Sequence, residues 1–198
     1  AFFLENVKPN SMAFNSITEK INYLIENDYI ESEFIGKYEP AFIEKLSAEI
    51  YSQNFRFQSF MSAYKFYQQY ALKTNDGQAY LESIEDRVLF NALYFADGDE
   101  HLASDLANEM IHQRYQPATP SFLNAGRSRR GELVSCFLLE VDDSLNSINF
   151  IDSTAKQLSK IGGGVAINLS KLRARGEAIK GIKGVAKGVL PVAKALEG

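Results

Sequence analysis

Residues 114–139 read RYQPATPSFLNAGRSRRGELVSCFLL, and they divide the chain into two unlike halves. The stretch opens on a turn-rich loop, Pro117-Ala118-Thr119-Pro120-Ser121, and passes through Asn124-Ala125-Gly126. It ends in an apolar run, Leu133 to Leu139, that carries the only cysteine, Cys136, directly after Ser135. Before Tyr115 the pattern is helical. After it come loops, short apolar runs and glycines.

Working upstream, Ser16-Ile17-Thr18-Glu19 is a capping box, with Ile17, Ile21, Leu24 and Ile25 on one face of the helix that follows. Pro40 suits the first turn of a second helix, with Phe42, Ile43, Leu46 and Ile50 apolar. Ser59 caps a third helix that runs to about Tyr70, and Asn75-Asp76-Gly77 signals a turn. A long helix is predicted from Leu81 to Ala96, broken by Asp97-Gly98-Asp99, with another running to about Gln113. Working downstream, Leu133 to Val141 and Val165 to Leu169 read as buried strands, with Asp143 to Lys160 between them at helical length. Strand, long helix and strand make a crossover unit suited to a parallel sheet. Ala186 to Leu196 reads as a last helix with no element to close it, and the chain opens without Met, so it is expected to be a piece of a longer protein. Domains are placed at 1–114 and 115–198.

The bulk numbers are ordinary for a soluble globular protein: 198 residues, 45% hydrophobic, 23% charged. A formal net charge of -4 argues against a general nucleic-acid binder. Arg127, Arg129 and Arg130 form a short basic cluster without interleaved aromatics, so no nucleic-acid partner is expected. No apolar run approaches the roughly 20 residues that span a bilayer, and no secretory signal opens the chain. A single cysteine allows no internal disulfide, which fits a reducing cytoplasm. His101 and His112 lack partners at metal-ligand spacing, so no metal site is expected. Tyr64, Tyr67 and Tyr70 recur every three residues, a spacing read as core packing in preference to a radical relay.

The series ATPSFLNAG (118–126), SCFL (135–138) and GGG (162–164), in this order and spacing, resembles the large (alpha, catalytic) subunit of aerobic ribonucleotide reductase, closest to the class Ib form. A full N-terminal ATP cone of the class Ia kind is not expected within these residues, which favours the class Ib form. The resemblance covers almost the whole chain. It implies a mostly α N-terminal domain followed by the start of a ten-stranded α/β barrel, incomplete here. It implies reduction of ribonucleoside diphosphates to 2'-deoxyribonucleotides by radical chemistry, with the fragment alone inactive. The implied partners are a second large subunit, a radical-generating small (beta) subunit that holds the metal-radical cofactor, and a glutaredoxin-like or thioredoxin-like reductant. No cofactor is expected on this chain itself, only a nucleotide effector (a dNTP or ATP) in the intact subunit.

Each candidate residue has a plainer alternative. Cys136 could be a small buried hydrophobe in a strand. By resemblance it is catalytic, donating a proton as the 2'-hydroxyl leaves as water and then pairing with a second cysteine. Thr119 and Ser135 could merely cap backbone groups, as could Ser121. By resemblance Thr119 and Ser135 contact the substrate nucleotide. Gly162 to Gly164 could be only a turn, whereas the resemblance gives Gly164 a substrate contact. Asp143 stands where a helix should start and could be its cap. Arg173 and Lys180 could be only a solvated basic surface, whereas the resemblance makes them, with Asp143, effector-binding residues, Arg173 pairing with phosphates through its planar fork. Helices Asp143 to Lys160 and Ala186 to Leu196 are expected to pair across a two-fold axis, through Leu145, Ile148, Ile151, Leu158, Val189, Val192 and Leu196. The rival from another class is a non-catalytic nucleotide-binding or helical interaction module.

Overall fold

A computed structural model describes residues 10–129 and 131–197. They fall into two units, Ala1–Leu133 and Val134–Gly198.

In the first unit, local signals set the helix starts. Helix α1 (Ile17–Glu26) begins at Ser16, whose hydroxyl accepts the Glu19 amide at 3.0 Å. Glu19 does not complete the box: its carboxylate accepts from the Asn15 amide at 2.7 Å instead. After the short α2 (Ser32–Ile35), Pro40 opens α3 (Pro40–Ser52). Ser59 caps α4 (Phe60–Lys65), which passes directly into a π-helical turn, Phe66–Tyr70. The wider turn is visible in the Ala71 amide, which donates five residues back to the Phe66 carbonyl at 2.9 Å. Helix α5 (Ile84–Ala96) starts three residues later than the apolar pattern suggests, because Ser83 and Asp86 form a complete capping box. Leu81 instead donates its amide to Leu72 across a loop contact at 2.8 Å. Asp97, left-handed at φ 50°, ends α5, and Asp99 caps α6 (Glu100–Ile111).

Helix α5 is the centre of this unit. Val88, Leu89, Phe90, Ala92 and Leu93 are all at most 2% exposed. A helix buried on every side needs a shell, and Leu24, Ile30, Phe34, Leu46, Ile50, Ala103 and Ala107 supply it. The segment 115–133 belongs to this same unit, so the division falls after Leu133 and not at residue 114. Three polar side chains of the centre hold it there. Asn91 donates to the Phe122 carbonyl at 3.1 Å, Arg87 donates to the Ala125 carbonyl, and Glu82 pairs with Arg127 at 2.6 Å. Part of the expected loop is in fact a short helix, α7 (Thr119–Asn124), whose first turn tolerates Pro120 because its amides have no intrahelical acceptor. Gly126 follows at φ +73°, and a Cβ there would lie 2.7 Å from the Phe34 ring.

The second unit runs β1 (Cys136–Glu140), α8 (Leu145–Lys160), β2 (Gly164–Asn168) and α9 (Leu190–Glu197). The strands pair in parallel, Cys136 opposite Gly164 through Glu140 opposite Asn168. They are not the buried strands the apolar runs suggest. Phe137, Leu139, Val165 and Ile167 are half-buried, while Cys136, Leu138, Glu140, Gly164, Ala166 and Asn168 are exposed. The physical reason is that this unit's crossover helix covers only one face of a two-stranded sheet, burying Ile151 in the process. Helix α9 starts later than Ala186. That residue is buried and tied to Gly176 and Glu177 by backbone hydrogen bonds of 2.9 and 3.2 Å, and Gly188 then turns the chain at φ +77°.

Candidate functional site

Three of the candidate residues meet at the start of the strand pair. Cys136 is a free, exposed thiol, and its register partner is Gly164. The Gly164 amide donates to the Ser135 carbonyl at 2.9 Å, and the Ser135 hydroxyl donates to the Cys136 sulfur at 3.5 Å. Register partners in a parallel pair project to the same side, so the position beside the thiol is bare. The three glycines do different things. Gly162, at φ +90°, turns the chain out of α8. Gly163 is buried, and a Cβ there would lie 2.1 Å from a Phe137 ring carbon. Gly164, where a Cβ would meet the Ser135 carbonyl oxygen at 3.4 Å, leaves no side chain next to Cys136. By admitting the Phe137 ring, Gly163 settles β1 on its helix-covered face, and alternation then turns Cys136 to the open one.

Thr119 lies in the first unit, exposed, at the first position of α7. Its hydroxyl shares a hydrogen bond with the Tyr70 hydroxyl at 3.1 Å. Ser121 takes the plainer role, donating to the Leu133 carbonyl at 2.9 Å.

A second constellation surrounds the N-terminus of α8. Ser144, not Asp143, is the cap, accepting the Ser147 amide at 3.2 Å. Asp143 is left to accept from Arg173 Nε at 2.7 Å, while Arg173 also donates to the Ala178 carbonyl at 2.8 Å. The pair borders a cavity of about 240 Å³. Its polar rim is Asp143, Ser144, Arg173 and Lys187, and its apolar part includes Leu145, Ile148, Leu172 and Val192. The lining thus combines a carboxylate paired with a guanidinium, a lysine and several aliphatic side chains. Lys180 is exposed, left-handed at φ 49°, and does not line the cavity. Lys187, which sequence reasoning did not single out, does. Both lysines lie in one Gly/Lys-rich loop, and nothing in the local pattern distinguishes them.

Sequence reasoning also missed a buried ion cluster. Glu82 pairs with Arg87 at 3.1 Å and Arg127 at 2.6 Å, and accepts the Leu72 amide at 3.0 Å. Burial alone pushes the Glu82 carboxyl up, but the Arg127 and Arg87 guanidiniums outweigh it and hold the group below its usual value. Burial lowers Arg87 to about 10. Arg127 is thus no surface cation, Arg129 pairs with Asp28 at 3.1 Å, and Arg130 lies outside the described residues. Among the tyrosines, Tyr67 packs edge-on against Phe66 and Tyr80, and burial pushes its hydroxyl up to about 12. Among the described residues no three His, Cys, Asp or Glu side chains cluster as metal ligands. No described helix is long and apolar enough to cross a membrane.

This arrangement, a helical unit followed by an open parallel pair with a free thiol, agrees with three family descriptions that match in chain order. These are the ribonucleotide reductase N-terminal region over residues 1–55, the ribonucleotide reductase all-alpha domain over 56–130, and the ribonucleotide reductase barrel domain over 134–198. The chain belongs to the ribonucleotide reductase large-subunit family, and it holds the all-alpha domain and the start of the barrel. It is 53% identical over 197 residues to the ribonucleoside-diphosphate reductase subunit alpha of Bacillus subtilis (strain 168), covering 100% of this chain and 28% of that protein. The proteins of the same name from Mycoplasma genitalium and Mycoplasma pneumoniae are 46% and 45% identical, again across 100% of this chain and 27% of each relative. The chain therefore spans just over a quarter of the length of these relatives.

Proposed function

We propose that this chain is the N-terminal part of a class Ib ribonucleoside-diphosphate reductase alpha subunit, which reduces ribonucleoside diphosphates to 2'-deoxyribonucleoside diphosphates in the cytoplasm. The observation that carries the reading is the exposed Cys136 thiol opposite the bare Gly164 in a chain that aligns throughout with alpha subunits. Cys136 supplies a proton as the substrate 2'-hydroxyl leaves as water. With a second cysteine from elsewhere in the longer protein it supplies two electrons, and the two thiols become a disulfide. Ser135, Gly164 and Thr119 hold the nucleotide. The radical comes from a beta subunit that carries the metal, and a glutaredoxin-like or thioredoxin-like protein restores the thiols.

Asp143, Arg173 and Lys180 serve a nucleotide effector, and the cavity's mixed lining supports this for Asp143 and Arg173, with Lys187 added. Homodimerisation through α8 and α9 is supported by the exposure of Leu145 (71%) and Leu190 (63%), whereas Ile151 is spent on the unit's own core. The test is Cys136→Ser in the full-length subunit with its beta partner. Dithiol-supported turnover should vanish while effector triphosphate binding persists. Full multiple-turnover activity would sink the assignment.

A further inference from the structure

We infer that Tyr70 is a positioning residue that fixes the Thr119 hydroxyl for a nucleoside diphosphate, acting from the π-helical turn of the helical unit. The inference rests on the reading of Thr119 as a substrate contact.

Tyr70 grips the α7 segment at three points. Its hydroxyl meets Thr119 Oγ1 at 3.1 Å, its ring tilts against Phe122 at 5.8 Å, and its carbonyl accepts from Arg127. Arg127 belongs to the buried Glu82 cluster, and Arg87 of the same cluster holds the Ala125 carbonyl just beyond α7. The chain just beyond the C-terminal end of α7 is thus anchored to a buried group of charges, and Tyr70, whose carbonyl Arg127 holds, reaches the N-terminal end at Thr119. The π turn matters because one extra residue per turn changes the angle at which the last side chain leaves the helix. Core packing explains Tyr67, but it does not account for a half-buried tyrosine whose hydroxyl ends on an exposed threonine.

The chemistry follows from proton counting. A threonine hydroxyl has one proton and two acceptor lone pairs. Either hydroxyl can donate across this 3.1 Å contact. The phenol is the stronger acid of the two, and when Tyr70 donates to Thr119 the threonine proton is left for a phosphate or ribose oxygen and the two hydrogen bonds polarise each other. Without Tyr70 the hydroxyl rotates freely and must be ordered at each binding event.

The test is steady-state kinetics in the full-length subunit with its beta partner, using Tyr70→Phe, Thr119→Ala, Thr119→Ser and the double variant Tyr70→Phe/Thr119→Ala. Tyr70→Phe keeps the ring on Phe122 and the carbonyl on Arg127, so the fold is preserved. It should raise KM for the diphosphate roughly three- to tenfold, the scale of one net hydrogen bond, with kcat within about twofold. Thr119→Ala should raise KM at least as much, and Thr119→Ser should restore most of it. Adding Tyr70→Phe to Thr119→Ala should cost nothing more, because the hydroxyl that Tyr70 aims is gone. Additive losses, or an unchanged KM in Tyr70→Phe beside a raised one in Thr119→Ala, overturn the positioning role alone. An unchanged KM in Thr119→Ala overturns the substrate reading of Thr119 and the inference with it.

Discussion

In the helical unit, Glu82 and Arg87 have wholly buried side chains and are paired, whereas in the βα unit Leu138, in the middle of a strand, is 83% exposed. The first unit buries a cluster of charges, although Phe60 and Met61 are 65% and 59% exposed on its surface; the second leaves apolar side chains of its strands in the open. Breaking a buried ion pair is costly because it strands a charge. Glu82 is satisfied by two guanidiniums and a backbone amide, while Arg87 Nε and Arg127 Nε are buried without a hydrogen-bond partner among the described residues. An exposed apolar strand face has the opposite meaning: a surface still available to other groups. The residues read as chemical, Cys136 and Gly164, lie on that open face. Tyr70 and Thr119 lie in the helical unit.

The sharpest way to break this comparison is Glu82→Leu. It leaves Arg87 and Arg127 buried without their carboxylate, a situation that costs about 3–5 kcal/mol. Chemical denaturation followed by circular dichroism should show the loss in the helical signal, and a change below 1 kcal/mol would mean that the cluster is not structural. The same residue carries a pH signature. Its folded pKa is held below the usual value of 4.5, so its stabilisation is complete above that value and is lost as pH falls through the lower folded one. The acid limb of stability below pH 4.5 should flatten in Glu82→Leu.

The next test moves to the βα unit. In Gly163→Ala the new Cβ would overlap the Phe137 ring at 2.1 Å, and forcing such an overlap costs about 1–3 kcal/mol. Phe137→Leu in the same chain should recover part of the loss. The Gly163→Ala change should also alter the rate at which Cys136 reacts with a thiol probe, since Phe137 adjoins it. Equal stability and an equal labelling rate would mean that the ring has another place to go.

These contrasts explain what the sequence made legible. Ser16, Pro40 and Ser59 each open a helix as local patterns predict, because a cap is satisfied by atoms a few residues away. The crossover unit was legible from the lengths of its apolar runs, but its burial was not, since an apolar run records a preference for burial and not the presence of a cover. Glu82 and Arg127 are 45 residues apart, and Tyr70 and Thr119 are 49 apart. No periodicity links them, so Arg127 passed as one member of a basic cluster and Tyr70 as a core tyrosine. At the candidate site, the series around Cys136 pointed to the residues that the strand register then joined. The choice of Lys180 over Lys187 had no physical signal behind it.

The smallest effect should come from Leu138→Thr. Leu138 is the central residue of β1 and by composition looks like core, yet its side chain is almost fully exposed. Threonine, being β-branched, suits a strand at least as well as leucine and removes only apolar surface that already meets water. Stability of this 198-residue chain should therefore change by less than about 0.5 kcal/mol, as for a surface position. A larger loss would show that the face is covered in solution, and its dependence on protein concentration would say by what. A loss that fades on dilution points to a second copy of the chain resting on the strands, because association stabilises by mass action. A loss independent of concentration points to a segment of the same chain. Either result would turn the open face from a consequence of two strands standing alone into an occupied one, and the proposal that Cys136, on that same face, meets a substrate would then require a route of access.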